Sequence, residues 1–99
     1  MQLDSSPTLT MLRPNIEQEI RYIANRVVAA HRARREHPTM APGKTEIRRD
    51  AAMLTGMVAL YGYMTGQIQS VTADASDVTF TDPLTADRVT DALIGTANL

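Results

Sequence analysis

The stretch from Thr45 to Ile68, TEIRRDAAMLTGMVALYGYMTGQI, decides how this chain folds. Ile47, Ala51, Leu54, Val58, Tyr61, Thr65 and Ile68 recur at spacings of 4, 3, 4, 3, 4 and 3. That is the period of an α-helix, so the segment is expected to be helical over about 45–68. Thr45 suits the N-cap and Glu46 the first turn. A second stripe, Met53, Met57, Leu60 and Met64, runs beside the first. A third holds small residues, Ala52, Gly56 and Ala59, with Tyr63 and Gly66 beyond them. A helix apolar on so many sides needs covering on more than one of them.

The partner on one side lies upstream. Ile16, Ile20, Ile23, Val27 and Ala30 form a stripe of the same period, and Pro14 is tolerated in a first helical turn. Glu17 and Glu19 sit where the helix dipole favours acids. Glu17 precedes Arg21 by four residues, the preferred order for an ion pair. Pro38 disfavours helical geometry at His37, so this helix is expected over about 14–36. The intervening HPTMAPGK, 37–44, is short enough to close an antiparallel helical hairpin. Residues 1–13 show no sustained period and read as an N-terminal arm tacked down by Leu9, Met11 and Leu12.

After the hairpin the pattern changes. Within 70–81, Val71 and Ala73, then Val78 and Phe80, alternate with polar residues, which suggests an irregular segment or a short β-hairpin. Asp82-Pro83 offers an N-cap followed by proline at the first helical position. Ala86, Val89 and Leu93 give a short stripe, and Gly95 suits a stop, so a C-terminal helix is expected over about 83–94. The expected fold is mainly α, with all 99 residues in a single domain.

Composition narrows the function. Hydrophobic residues make up 43 %, too many for wholesale disorder. The only aromatics are Tyr22, Tyr61, Tyr63 and Phe80, so stacking on single-stranded nucleic acid is disfavoured. There is no cysteine, which excludes disulfides and thiolate metal sites. The N-terminal residues lack the pattern of a secretory signal, and a cytoplasmic location is the default expectation. No metal or cofactor is expected. His31 and His37 are six apart and read as surface residues. Asp74, Asp77 and Asp82 lack the central glycine of a calcium loop and read as turn and capping residues. Gly43-Lys44-Thr45 resembles the end of a phosphate loop, but Pro38 stands where that motif needs glycine, and a helix precedes it instead of a strand. No serine sits in a nucleophile motif, so the chain is not expected to be an enzyme. A membrane span from Ala51 to Ala73 is disfavoured by Thr55, Thr65, Gln67 and Gln69.

Charge is the positive signal. The net charge is −1, yet 21–49 holds eight Lys and Arg against two Glu, a balance of +6. Arg32, Arg34 and Arg35 end the first helix, where its dipole favours cations. Lys44, Arg48 and Arg49 open the second, where it does not; each misplaced charge there costs about 0.3–1 kcal/mol. Guanidinium forks at one hairpin end suit carboxylate or phosphate. The expectation is a small binding or inhibitor module. It would be homo-oligomeric through Met53, Gly56, Met57, Leu60 and Met64. Its six basic residues would engage an acidic protein surface, a nucleic acid or a phosphorylated ligand. The rival is a structural component of a phage-like particle, in which the arm and 70–81 pair with neighbouring subunits.

Overall fold

Pro7 opens the first helix. The computed structural model describes residues 7–70 and 75–99, with side chains given for 11–70 and 76–99. Helix α1 runs Pro7–Glu36, α2 Lys44–Met64 and α3 Pro83–Ala97, with one short 3-10 turn at Ala75–Asp77. The protein is mainly helical, and no strand occurs among the described residues. At about 1.5 Å per residue, the 30 residues of α1 span roughly 45 Å. That helix sets the 48 Å long dimension of the molecule.

The start of α1 corrects the expected boundary. Pro14 lies inside the helix, and 7–13 of the expected arm are helical. Proline at position 7 occupies the first turn, where its missing N–H is not needed. The turn carrying Pro14 is then held from outside. Arg13 donates from Nε to the Tyr61 hydroxyl of α2 at 3.1 Å and lies 5.7 Å above its ring. Met11 and Leu12 do not tack this segment down, because both are exposed. Leu9 lies outside the residues whose side chains are described.

The far end of α1 stops at Glu36. Residues 37–43 then turn the chain, and Tyr61 near the end of α2 lies against Arg13 and Glu17 in the first half of α1. Gly43 is the N-cap and makes no side-chain cap bond; Thr45, expected there, sits inside the first turn. The whole first stripe of α2 is buried, from Ile47 through Leu54 and Tyr61 to Thr65, with Ile68 just beyond. Fully burying a side chain such as Leu54 contributes about 1.5–3 kcal/mol.

Helix α2 ends at Met64, four residues short of the expected Ile68. Gly66 takes a positive φ of 76°. The Gly66 N–H bonds Tyr63 O at 3.2 Å and the Gln67 N–H bonds Gly62 O at 2.8 Å. This is a Schellman closure, which needs a residue tolerant of the left-handed region. The apolar period continued past the helix because Ile68 folds back onto Gly62, where an added Cβ would meet its Cδ1 at 3.4 Å.

The segment 75–81 is not a β-hairpin; 71–74 lie outside the described residues. The Gln67 side chain takes the place of a strand partner. Its Oε1 accepts from Thr79 N at 2.6 Å and its Nε2 donates to Thr79 O at 3.0 Å. Val78 is buried, and Phe80 stacks on Tyr61 with centroids 5.5 Å apart. Helix α3 begins as expected, with Asp82 Oδ1 accepting from Leu84 N at 3.0 Å. It continues through Gly95 to Ala97, packing mainly along α1. So α1 is sandwiched. Ile20, Ala24, Val27 and Val28 are buried, and Ile16, Ile23 and Ala30 are partly buried around them.

Candidate functional site

Two polar clusters lie at opposite ends of the bundle. The first centres on Glu17, which is only 1 % exposed. Its Oε2 accepts from Tyr61 Oη at 2.5 Å, Thr81 N at 3.0 Å and Thr81 Oγ1 at 2.6 Å; its Oε1 accepts from Asp82 N at 2.9 Å. Burial pushes the Glu17 carboxyl up, but the bonds from Thr81, Tyr61 and the Asp82 and Thr81 amides outweigh it, so the group stays below the usual carboxylate range. Burial, reinforced by the bond to Glu17, pushes the Tyr61 hydroxyl up to about 12. Arg21 pairs with Asp82, whose Oδ2 also accepts from Thr85 Oγ1 at 3.1 Å.

This corrects the expected Glu17–Arg21 pair. Glu17 turns inward and ties all three helices together, while Arg21 reaches α3. Both carboxylate oxygens of Glu17 are taken up by protein donors, so the cluster is a structural lock. Sequence spacing missed it because its partners are 44 to 65 residues away.

The second cluster is at the α1–α2 turn. A groove of about 650 Å³ opens there between the end of α1, the start of α2 and the end of α3. Four of the six expected basic residues line it: Arg32, Arg34, Arg35 and Lys44. Arg48 and Arg49 are exposed on α2, about one turn further along, and do not line the groove. None of the six forms an ion pair among the described residues, where the only pairs are Arg21–Asp82 and Arg88–Asp91. Neither Glu36 nor Asp50, the acids nearest in sequence to this turn and to Arg49, forms an ion pair with Arg48 or Arg49.

His31 also lines this groove, and here the structure overturns the expected surface position. His31 is 6 % exposed, and both ring nitrogens are enclosed with no hydrogen bond of good geometry among the described residues, the Asp91 main chain lying beside the ring. Gly95 explains how it fits. A Cβ on Gly95 would lie 2.1 Å from Nε2, so the glycine read as a helix stop is instead the space the imidazole occupies. Burial lowers the His31 pKa, and Arg35 and Arg32 add to that; the main chain and carboxylate of Asp91 oppose it. The ring is therefore held toward its neutral form. An unsatisfied buried polar group costs about 1–3 kcal/mol. His37, by contrast, is exposed in the turn.

The expected oligomer stripe is open. Met53, Gly56 and Leu60 are exposed, and Met57 and Met64 are half-buried. Gly56 has nothing within 4 Å of an added Cβ. Ala52 is exposed and Ala59 buried. No group of His, Asp or Glu able to hold a metal occurs among the described residues. Among the described residues, no helix is long and apolar enough to cross a membrane. No protein-family model, curated protein or solved structure matches this chain.

Proposed function

We propose that the chain is a small, non-catalytic binding module that engages an anionic partner through the basic end of α1 and α2. One observation carries this. Arg32, Arg34, Arg35, Lys44, Arg48 and Arg49 converge on one end without a single ion pair to a described acid. Unpaired like charges repel one another and raise the local potential, a cost to folding that an anionic partner removes. Self-association through Met53, Gly56, Met57, Leu60 and Met64 belongs to the same proposal. Met53, Gly56 and Leu60 stay exposed, with Met57 and Met64 half-buried, on a helix that carries no charge after Asp50.

The test is titration with two polyanions, polyglutamate and a short DNA duplex, over a range of salt. Binding of the duplex should weaken by about 0.7–0.9 log units per phosphate contact for each log unit of salt. A triple variant, Lys44→Glu, Arg48→Glu and Arg49→Glu, should abolish binding while keeping its helical circular dichroism. Unchanged binding by that variant, or no binding of either polyanion by the wild type at low salt, would refute the proposal. Light scattering of Leu60→Lys reads the second part, since a wild-type oligomer should become a monomer.

A further inference from the structure

One face of α2 points away from the bundle and is left uncovered by the described residues. Arg49, Gly56 and Tyr63, spaced by sevens, fall in one line along it, and all three are exposed. Met53 and Leu60 flank that line and are 47 % and 50 % exposed. Gly56, at the centre, has open space where a Cβ would stand. The two ends of this face differ in charge. Arg48 and Arg49 stand exposed at its start, without an ion pair among the described residues. At its far end the chain crosses back over the helix. The turn Ala75–Asp77 packs on α2, and the next residue, Val78, sits where a Cβ on Gly62 would collide with it. Arg48 and Gly62 are two heptads apart, so they share one flank of α2. Asp77 therefore lies beside that flank; it is exposed and has no ion pair among the described residues.

We infer that this face docks a second copy of the chain, the two α2 helices antiparallel about a two-fold axis at Gly56, with Arg48 of each copy against Asp77 of the other. The inference rests on the self-association proposed above and fixes its arrangement and its ionic partners. Complementarity carries it. A strip with cations at one end and an acid at the other matches itself when reversed. Gly56 is seven residues from both Arg49 and Tyr63, about 11 Å of helix each way. The two-fold therefore brings Arg49 level with Tyr63 of the second copy, where the guanidinium meets the face of a ring. It also keeps the same flank of both helices on one side, which sets Arg48 level with the end of the other α2, where Asp77 lies. Glycine at the crossing lets the helix axes approach to about 8 Å. Each contact forms twice, because the interface is isologous. A net charge of −1 sets up little general repulsion between copies.

Other occupants match only part of this face. A polyanion or an anionic lipid surface meets Arg48 and Arg49 but is repelled at Asp77. An uncharged apolar helix leaves both ends unpaired. A second copy also gives the arginines in the first turn of α2, where the helix dipole disfavours cations, a carboxylate to meet. The basic end is then divided in two. Arg48 and Arg49 serve the contact between copies, and Arg32, Arg34, Arg35 and Lys44 stay outside it for the external anion.

Sedimentation equilibrium of the full chain, from about 10 μM to 1 mM, should show monomer and dimer in exchange. Arg48→Asp or Asp77→Arg alone should weaken the dimer by roughly ten- to a hundredfold, because two symmetric pairs turn from attraction to repulsion. The two substitutions together should restore it to within about threefold. Cross-linking reads the geometry separately, since the chain has no cysteine of its own. Gly56→Cys should oxidise to a covalent dimer, and so should an equal mixture of Arg49→Cys and Tyr63→Cys; Arg49→Cys alone should not. All the substituted positions are exposed, so helical circular dichroism should stay unchanged. If a dimer forms but ignores the Arg48 and Asp77 exchange, or if Arg49→Cys links to itself, the arrangement is wrong and self-association stands without it. A wild-type chain that stays monomeric throughout the range would remove both, while polyanion binding would be judged on its own titration.

Discussion

Replacing Glu17 with glutamine tests the structural lock most directly. The wild-type carboxylate accepts four hydrogen bonds, three at Oε2 and one at Oε1. A glutamine oxygen placed at the Oε2 position keeps three of them as neutral bonds. Each then falls from about 1.5–3 to about 0.5–1.5 kcal/mol, a loss of roughly 1 kcal/mol apiece. The amide nitrogen must face the Asp82 N–H, donor against donor, and that orphaned pair adds about 1–3 kcal/mol. Relief from burying a charge offsets part of the sum. The net expectation is a destabilisation of about 2–4 kcal/mol near neutrality, a large share of the roughly 5–15 kcal/mol that a domain of this size holds.

Urea unfolding followed by circular dichroism reads the effect as a lower midpoint at unchanged slope. Its pH dependence carries the sharper signature. The Glu17 pKa is depressed in the folded state, so its contribution is complete above the unfolded carboxylate value and is lost as pH falls through the lower folded value. The gap between wild type and Glu17→Gln should therefore narrow in acid. A Glu17→Gln penalty below about 0.5 kcal/mol, the range of ordinary surface changes, would refute the network. So would a penalty that does not change with pH.

Two glycines of one stretch should respond with opposite signs. Gly66→Ala forces a left-handed residue into the Schellman closure and should lower stability by about 1–2 kcal/mol. Gly56→Ala, on an open helix face, should raise it by about 0.5–1 kcal/mol by urea unfolding of the monomer; if a second copy packs there, it should instead weaken association in light scattering. Gln67→Ala removes the clamp on Thr79, and hydrogen exchange should show the Thr79 amide losing protection while the α1 core amides keep theirs. These experiments separate helix closure, surface and strap.

The helices were legible wherever one period and one local signal agreed. The buried stripe of α2, the end of α1 before Pro38 and the Asp82-Pro83 start of α3 all follow from spacing and capping chemistry. The misplaced boundaries have a common cause. Pro14 and Gly95 each carry a familiar local meaning, and a contact from elsewhere settled which meaning applied. Arg13 on Tyr61 steadies the turn before Pro14. Ile68 on Gly62 keeps the apolar period going past the helix end. His31 against Gly95 makes the glycine a packing space within α3.

The basic end was visible as charge, since six cations flank one short turn. Its groove was not. His31 stands one residue beyond Ala30 in the expected stripe, which gave no sign that α3 would cover that side of α1. Sequence by itself determined the mainly helical composition and the concentration of cations around one short turn, because helical period, capping and charge act over a few residues. Only the tertiary structure decided that Glu17 is a buried lock and His31 a buried, unmet imidazole. Both follow from α3 lying along α1, and burial is a property of what packs on a residue from far along the chain, which local pattern does not carry.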